Sequence, residues 1–174
     1  MPSDSDFTGR ALGAEECESV ARAIRSGTLN STKGTFVTAF ERAFAQHAGR
    51  QHAIACTSGS TAVHCAIAAL GLAPGDEVIT TPYTFFATAG TIARVGARPV
   101  FCDIDPATFN LCPQAVQRFI DRDCELRDGV LVNRRTGGRI KALMPVHLYG
   151  QLADMPAFMK ITQRYGLRVI EDAA

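Results

Sequence analysis

The sequence lacks the features that direct a chain to membranes or to nucleic acid. Its 18 lysines and arginines nearly balance its 17 aspartates and glutamates, so no broad surface for a polyanion is expected. No apolar run approaches the roughly 20 residues that span a bilayer. The opening MPSDSDFTGR has neither the basic nor the apolar part of a signal peptide. We therefore expect a cytoplasmic protein that binds neither nucleic acid nor membrane.

The spacing of the cysteines and histidines argues against the common metal and disulfide motifs. No two of the six cysteines form CxxC, and the four histidines form neither HxH nor HExxH. Cys56 and Cys102 lie in strand-like apolar runs and Cys65 in a helix-like run, where a free thiol behaves as a small hydrophobic group. We expect buried or partly buried free thiols and no metal site.

Helical and strand-like patterns alternate along most of the chain. Apolar strand-like runs cover 53–57, 77–81, 98–105, 140–146 and 167–171, and helical patterns cover 14–26, 36–47, 61–70, 85–95, 113–120 and 155–165. Short apolar strands separated by helices are typical of parallel strands buried on both faces. The pattern therefore predicts an α/β fold, a mostly parallel sheet with helices on both faces.

Local signals refine two of the helices. Phe36, Phe40 and Phe44 recur every four residues and predict an apolar helix face that packs in the core. Asp154 is an expected N-cap for the helix at 155–165, and Gly166 is its expected left-handed stop.

Two regions are expected: an N-terminal helical segment at 1–30 and a larger α/β domain at 31–174. Within the latter, residues 121–139 carry nine charges and two glycine turns, which predict a solvent-exposed hairpin inserted between a helix and a strand. The last apolar strand is followed by no covering helix, so we expect the chain to be the N-terminal portion of a longer protein, with the domain truncated at its C-terminal end.

Three segments at the carboxyl ends of expected strands could carry chemistry. In the first, Gly59 and Ser60 lie within TSGST, where glycine, hydroxyls and helix-terminal N–H groups suit a phosphate. The segment fits neither the Walker pattern nor GxGxxG. The alternative is an ordinary strand-to-helix turn, with Ser60 or Thr61 as the N-cap.

The second segment is PYTFF, with Thr84 as the expected cap of the following helix. Adjacent helical residues are about 100° apart, so Phe85 and Phe86 cannot share one face. One ring could project over the strand ends and stack on a planar ligand, while the other packs inward. The alternative is that both are partly buried in the core.

The third segment is EDAA, in which Asp172 closes an apolar strand. Its carboxylate is either a helix cap or the partner of a cation such as a protonated heterocyclic nitrogen. Together, a phosphate turn, an aromatic ring and a carboxylate on one edge of the sheet match what bound pyridoxal 5′-phosphate (PLP) requires.

Several blocks of the sequence, in order, resemble the DegT/StrS family of sugar aminotransferases, which have PLP-dependent transferase fold type I. They are KGTFVTAFERAFAQHAGRQHAIACTSGSTAVHCAIAALGLAPGDEVITTPYTFFATAGTIARVGARPVFCDIDPATFNL, PVHLYGQLADM and VIEDAA, and the resemblance spans residues 10–174. It implies that residues 31–174 are a PLP-binding large domain.

The resemblance also implies roles for individual residues. Gly59 and Ser60 match the family's phosphate turn, although Ser60 replaces the commoner threonine. Phe85 matches the aromatic residue that stacks on the pyridine ring, and Asp172 matches the aspartate that pairs with the pyridine nitrogen. His147 is typical of the family but receives no firm role, and a structural histidine is an equal alternative.

The family's catalytic Schiff-base lysine is expected beyond residue 174, so these 174 residues alone are expected to be inactive. Lys33 lies in the N-terminal approach, Lys141 at the start of a strand and Lys160 inside a surface helix. None of the three matches the family's lysine.

The resemblance implies an aminotransferase that moves an amino group, usually from glutamate, to a keto-sugar nucleotide. Such enzymes serve amino-sugar, surface polysaccharide or antibiotic biosynthesis and are usually homodimers. Three alternatives remain: a sugar dehydratase of the same family, a related enzyme that aminates carbocycles, and a non-catalytic regulator or binding protein on the same fold.

Overall fold

The computed structural model describes residues 12–174, which belong to two compact units, 1–55 and 56–174. The described part of the first unit contains two helices, α1 (Ala14–Arg25) and α2 (Thr35–His47). The prediction that Phe36, Phe40 and Phe44 are core residues is wrong, because these side chains are 42%, 57% and 52% exposed. In the described part of this unit only Ala45 of α2 is buried, so α1 and α2 do not enclose a core of their own there.

The second unit is a six-stranded mixed sheet with four helices. Its strands are β1 (Asp76–Thr80), β2 (Arg98–Phe101), β3 (Cys124–Arg127), β4 (Val130–Asn133), β5 (Arg139–Leu143) and β6 (Arg168–Val169), and its helices are α3 (Gly59–Ala69), α4 (Phe86–Arg94), α5 (Pro113–Asp123) and α6 (Met155–Tyr165). The order is β2-β1-β5-β4-β3, with β6 also beside β5. Pairing is parallel among β2, β1, β5 and β6 and antiparallel within β5-β4-β3.

Helices cover both faces of the sheet, as predicted. Side chains alternate along a strand, so neighbouring residues face opposite layers. Val78 and Ala142 belong to one buried cluster, with side chains from α3 and α4. Ile79 and Leu143 belong to the other cluster, which includes Phe158 of α6. The expected α/β class is therefore confirmed.

The prediction of a strand at 53–57 is wrong, since the sheet of the described chain takes its strands from residues 76–169. Ile54 is 81% exposed. An apolar run becomes a strand only where a neighbouring strand aligns with it, and apolar character alone does not specify that neighbour. The strand expected at 98–105 is likewise shorter and ends at Phe101.

The hairpin predicted for residues 121–139 is present as β3 and β4, although residues 121–123 are the end of α5, and it is not wholly solvent-exposed. β3 and β4 pair antiparallel around Asp128 and Gly129, which both have positive φ angles. Leu131 and Val132 of β4 are buried, and Val132 pairs with Arg139 of β5. The sequence did not predict that β4 extends the main sheet, because its short apolar run VLV lies between charged segments.

A buried carboxylate connects this hairpin to the amino end of β1. Glu77 is 1% exposed, and it accepts hydrogen bonds from Asn133 Nδ2 at 2.9 Å and from Thr136 Oγ1 at 2.7 Å. Arg98 lies 3.5 Å from the same carboxylate. A side chain at Gly138 would place a Cβ 2.5 Å from Glu77 Oε1, so this position requires glycine.

Both expected ends of α6 are confirmed. Asp154 accepts a hydrogen bond from the backbone N–H of Ala157 at 3.1 Å, and Gly166 adopts the left-handed conformation with φ of 66°. A capping carboxylate and a left-handed glycine act within one turn of chain, so local sequence is sufficient to position them.

The six thiols divide into buried, partly buried and exposed ones. Cys102 and Cys124 are buried and Cys56 and Cys112 are partly buried, as expected. Cys17 and Cys65 are exposed, so the expectation is wrong for these two. Burial raises the pKa of Cys102 and of Cys124 to about 12. Within residues 12–174 there is no group of three or more His, Cys, Asp or Glu side chains placed to hold a metal ion. No helix in the same range combines the length and apolar character needed to cross a bilayer.

Thiol labelling should distinguish the buried thiols from the exposed ones. We expect Cys17 and Cys65 to react with iodoacetamide at pH 8 and Cys102 and Cys124 to remain unmodified, because a thiol with a pKa of about 12 is about 10⁻⁴ thiolate at that pH. Mass spectrometry of peptides would locate the label, and labelling in urea is the control in which all thiols react. Modification of Cys102 or Cys124 at the rate of Cys65 would contradict the buried placement.

Candidate functional site

A cleft of about 680 Å³ opens where β1, β5 and β6 end. The segments that follow these three parallel strands supply most of its lining, as is usual for ligand sites in α/β sheets. All four predicted cofactor-binding residues line this one cleft: Gly59, Ser60, Phe85 and Asp172. They come from positions up to 113 residues apart. The sheet places Phe85 and Asp172 after its strands, and α3, which packs on the sheet, places Gly59 and Ser60.

Hydrogen bonds beyond the strand ends hold this edge of the sheet. Thr80 Oγ1 donates to the carbonyl of Met144 at 2.8 Å. The backbone N–H of His147 donates to the carbonyl of Asp172 at 2.9 Å, and that of Asp172 donates to the carbonyl of Pro145 at 3.0 Å. The loops that line the cleft therefore begin at fixed points.

The phosphate turn is the first turn of α3. Ser58, and neither Ser60 nor Thr61, is its N-cap, and it accepts a hydrogen bond from the N–H of Thr61 at 3.2 Å. Gly59 and Ser60 are the first two helical residues, whose N–H groups have no partner inside a helix. A Cβ at Gly59 would lie 3.4 Å from the Cβ of Ala174, so the start of α3 lies beside the EDAA segment. The arrangement presents N–H groups and a helix N-terminus to an anion.

Neither Phe85 nor Phe86 of PYTFF is buried, although one of them was expected to pack inward. Phe85 is 74% exposed and lines the cleft, whereas Phe86 is 80% exposed and borders a separate groove between α3 and α4. The Phe86 ring lies over Gly90, since a Cβ there would be 2.8 Å from it. α4 begins one residue later than expected, with Phe85 as N-cap in place of Thr84. The backbone of Phe85 is extended, and the two rings lie edge to face with their centroids 6.4 Å apart.

Asp172 is a buried carboxylate that borders the cleft. It is 6% exposed, and Thr88 Oγ1 donates to its Oδ2 at 2.8 Å. The backbone N–H of Ala174 donates weakly to Oδ1 at 3.4 Å. Both donors are neutral, so a cation in the cleft would find a carboxylate whose charge they do not balance.

His147 is a buried structural histidine at the same edge. The backbone N–H of Ala153 donates to Nδ1 at 3.1 Å, so Nδ1 carries no proton. Nε2 therefore bears the proton and donates to the Glu171 carboxylate at 3.0 Å. This contact has ion-pair length, but the ring is neutral, and both ring nitrogens already have partners.

Sequence reasoning missed the four other residues with hydroxyl side chains that line the cleft: Tyr83, Thr84, Thr88 and Tyr149. Tyr149 adopts a left-handed backbone with φ of 54°, and a hydrogen bond with it raises the pKa of Tyr83. The spacing of Thr84 and Thr88, four residues apart at the start of an expected helix, was the available signal.

The lysines in this unit lie away from the cleft. Lys141 is the third residue of β5 and not at its start, and Lys160 lies within α6. Neither lines the cleft. Lys33 belongs to the first unit.

With this geometry in place, comparison with known proteins identifies the class. The DegT/DnrJ/EryC1/StrS aminotransferase family matches residues 10–174. The chain belongs to this family, and its large domain has the expected PLP-dependent transferase fold type I.

Three relatives illustrate the range of the family. A protein of Geobacillus stearothermophilus described as a pleiotropic regulatory protein is 49% identical over 141 residues, which cover 81% of this chain and 34% of that one. The GDP-perosamine synthase of Caulobacter vibrioides is 44% identical over 147 residues, covering 84% and 35%. The structure of NtdA from Bacillus subtilis with bound PMP has a TM-score of 0.73 at 31% identity, and the match covers 93% of this chain and 34% of that one. This chain thus spans about a third of the length of the curated relatives it matches.

Replacing His147 with leucine should destabilise the protein. The change removes two hydrogen bonds and leaves the N–H of Ala153 without its partner, at a cost of about 2–3 kcal/mol in the free energy of unfolding. Urea unfolding of the complete gene product would measure it. His52→Leu is the matched control, because His52 is exposed and should change stability by less than about 0.5 kcal/mol. Equal stabilities for the two variants would contradict the role given to the buried ring.

Proposed function

We propose that the complete gene product is a PLP-dependent aminotransferase that transfers an amino group, from glutamate, to a keto-sugar nucleotide. The pathways served would be amino-sugar, surface polysaccharide or antibiotic biosynthesis. The observation that carries the proposal is the cleft in which Gly59, Ser60, Phe85 and Asp172 meet. A homodimeric state and a cytoplasmic location are part of the proposal and rest on resemblance to the family.

The helix terminus fits the phosphate of PLP. Gly59 and Ser60 line the cleft as the first residues of α3, whose N–H groups have no intrahelical partner, and the Ser60 hydroxyl supplies a further donor. A helix N-terminus carries about half a positive charge and therefore favours a dianion such as a phosphate group.

The aromatic ring and the carboxylate fit the remainder of the cofactor. Phe85 offers an exposed ring in the cleft, on which a planar heterocycle would bury apolar area. Asp172 offers a buried carboxylate bonded only to neutral donors, which a protonated pyridine nitrogen would complement. Phe85 and Asp172 would contact different parts of the same ligand. Their presence in one cleft therefore supports the proposal more than either residue does alone.

In the proposed reaction PLP supplies an electron sink and a temporary carrier for the amino group. The residues of this chain bind and orient it. Gly59 and Ser60 anchor the phosphate, Phe85 covers one face of the ring, and Asp172 keeps the ring nitrogen protonated. The lysine that moves the proton between substrate atoms is proposed to follow residue 174.

The substrate class follows from the relatives. The Caulobacter protein is named for the sugar nucleotide product GDP-perosamine. A second candidate function has support as well, because the Geobacillus relative is described as a regulatory protein. A regulator on this fold would not turn over glutamate, so a kinetic assay separates the two.

The decisive experiment incubates the complete gene product with PLP, glutamate and a panel of keto-sugar nucleotides. Formation of 2-oxoglutarate together with an aminated sugar nucleotide would support the proposal. Loss of the sugar hydroxyl without a stable amino group would indicate the dehydratase alternative. Cofactor binding with no turnover of any panel member would favour a regulator or a carbocycle substrate, which a second panel of keto-cyclitols would distinguish.

Substitution of Asp172 tests the cofactor assignment. Asp172→Asn keeps the shape of the side chain but removes its charge, and we expect at least about a 10³-fold loss of kcat because a positioned charge contributes several kcal/mol to the transition state. Asp76→Asn is the control, since Asp76 is equally buried but pairs with Arg139 at the other end of β1. An Asp172→Asn enzyme within about tenfold of wild type would refute the assignment.

Substitutions of Phe85 and Phe86 should have different effects on cofactor affinity. Phe85→Ala should weaken cofactor binding by about 1–2 kcal/mol through lost stacking and buried area. Phe86→Ala should leave binding close to wild type, because Phe86 lines a different groove. Fluorescence titration with pyridoxamine 5′-phosphate would measure both. The reverse order of effects would show that Phe86 is the stacking residue.

A further inference from the structure

Asp172 terminates a chain of hydrogen-bonded side chains at the start of α4. Thr88 Oγ1 donates to Asp172 Oδ2 at 2.8 Å, and Thr84 Oγ1 lies 2.9 Å from Thr88 Oγ1. Thr88 is completely buried, and Thr84 and Thr88 both line the cleft. Neither threonine is required by the capping of α4, for which Phe85 is the N-cap.

The donor and the acceptor of each hydrogen bond in this series follow from the number of protons available. A hydroxyl has one proton to donate, and an ionised carboxylate only accepts. The proton of Thr88 therefore belongs to the bond with Asp172, and Thr84 must donate to Thr88. The order is Thr84 to Thr88 to Asp172, with no alternative arrangement while the carboxylate is charged.

The position of Thr88 makes this chain rigid. Thr88 lies in the first turn of α4, where its backbone N–H donates to the carbonyl of Phe85 at 3.1 Å. Its β-branched side chain has few allowed rotamers in a helix, so the hydroxyl has a defined place. Oδ2 of Asp172 is thereby held by the same helix terminus that carries Phe85.

We propose that Thr88 is a positioning residue for Asp172, with Thr84 as the outer donor of the chain. The inference rests on the proposed cofactor role of Asp172. The inference adds that Thr88, at the start of α4, orients the carboxylate of Asp172. The short segment from Phe85 to Thr88 would thus hold both the residue that stacks on the cofactor ring and the residue that orients the partner of its nitrogen.

The test measures binding of pyridoxamine 5′-phosphate to the complete gene product by fluorescence titration. Thr88→Val has nearly the same shape but lacks the hydroxyl, and we expect a dissociation constant at least about tenfold higher. Thr88→Ser keeps the hydroxyl and should restore most of the affinity. Thr91→Val is the matched control, because Thr91 is buried on the same helix but its hydroxyl donates to the carbonyl of Thr88.

Thr84→Val provides a second measurement, which does not depend on the folding of Thr88→Val. It removes only the outer donor, and we expect an increase of about threefold in the dissociation constant. Melting temperatures of the cofactor-free variants would show whether any loss of affinity simply reflects unfolding. Wild-type affinity in both Thr84→Val and Thr88→Val would overturn the inference.

A double-mutant comparison shows whether Thr88 acts through Asp172. Thr88→Val should have no further effect on affinity in an Asp172→Asn background. An equal loss in both backgrounds would mean that Thr88 acts on general structure, which overturns the inference while leaving the proposed function intact. Wild-type affinity and activity in Asp172→Asn alone would instead refute the proposed cofactor role, and the inference with it.

Discussion

The parallel alignment of β1, β5 and the segment from β6 to Asp172 is the constraint on which the site depends. The ladder continues past the strand ends through the bonds from Thr80 to Met144, from His147 to Asp172 and from Asp172 to Pro145. Each lies in the interior, where an unmade hydrogen bond costs about 1–3 kcal/mol. The loops that follow the strands are therefore anchored at their first residues, and the cleft is a consequence of the sheet.

Two buried carboxylates lie at opposite ends of this sheet and serve different purposes. Glu77, at the amino end, accepts hydrogen bonds from Asn133 and Thr136 and lies beside Arg98. These partners attach the β3–β4 hairpin to the main sheet. Asp172, at the carboxyl end, has neutral donors and borders a cleft. A satisfied carboxylate stabilises the fold, whereas one with a charge left to balance is suited to a ligand.

The sequence was sufficient to predict those features that depend on a few consecutive residues. The alternation of helices and strands, both ends of α6 and the hairpin turn were predicted correctly, because caps and turns are local. Predictions failed where a segment needs a distant partner. The apolar run at 53–57 joined no strand of the described sheet, and the apolar face of Phe40 is exposed. Apolar character shows that a segment can be buried, but not which segment would cover it.

The sequence by itself determined the family and the α/β class. It also predicted Gly59, Ser60, Phe85 and Asp172 as cofactor-binding residues, because each belongs to a short motif that resembles one of the family's. Only the tertiary structure decided that these motifs share one cleft and that Phe85, not Phe86, lines it. It also decided the bond from Thr88 to Asp172, which joins residues 84 positions apart. The reason is physical: a motif encodes the backbone of its own turn, whereas the meeting of side chains from separate turns is set by strand order and register.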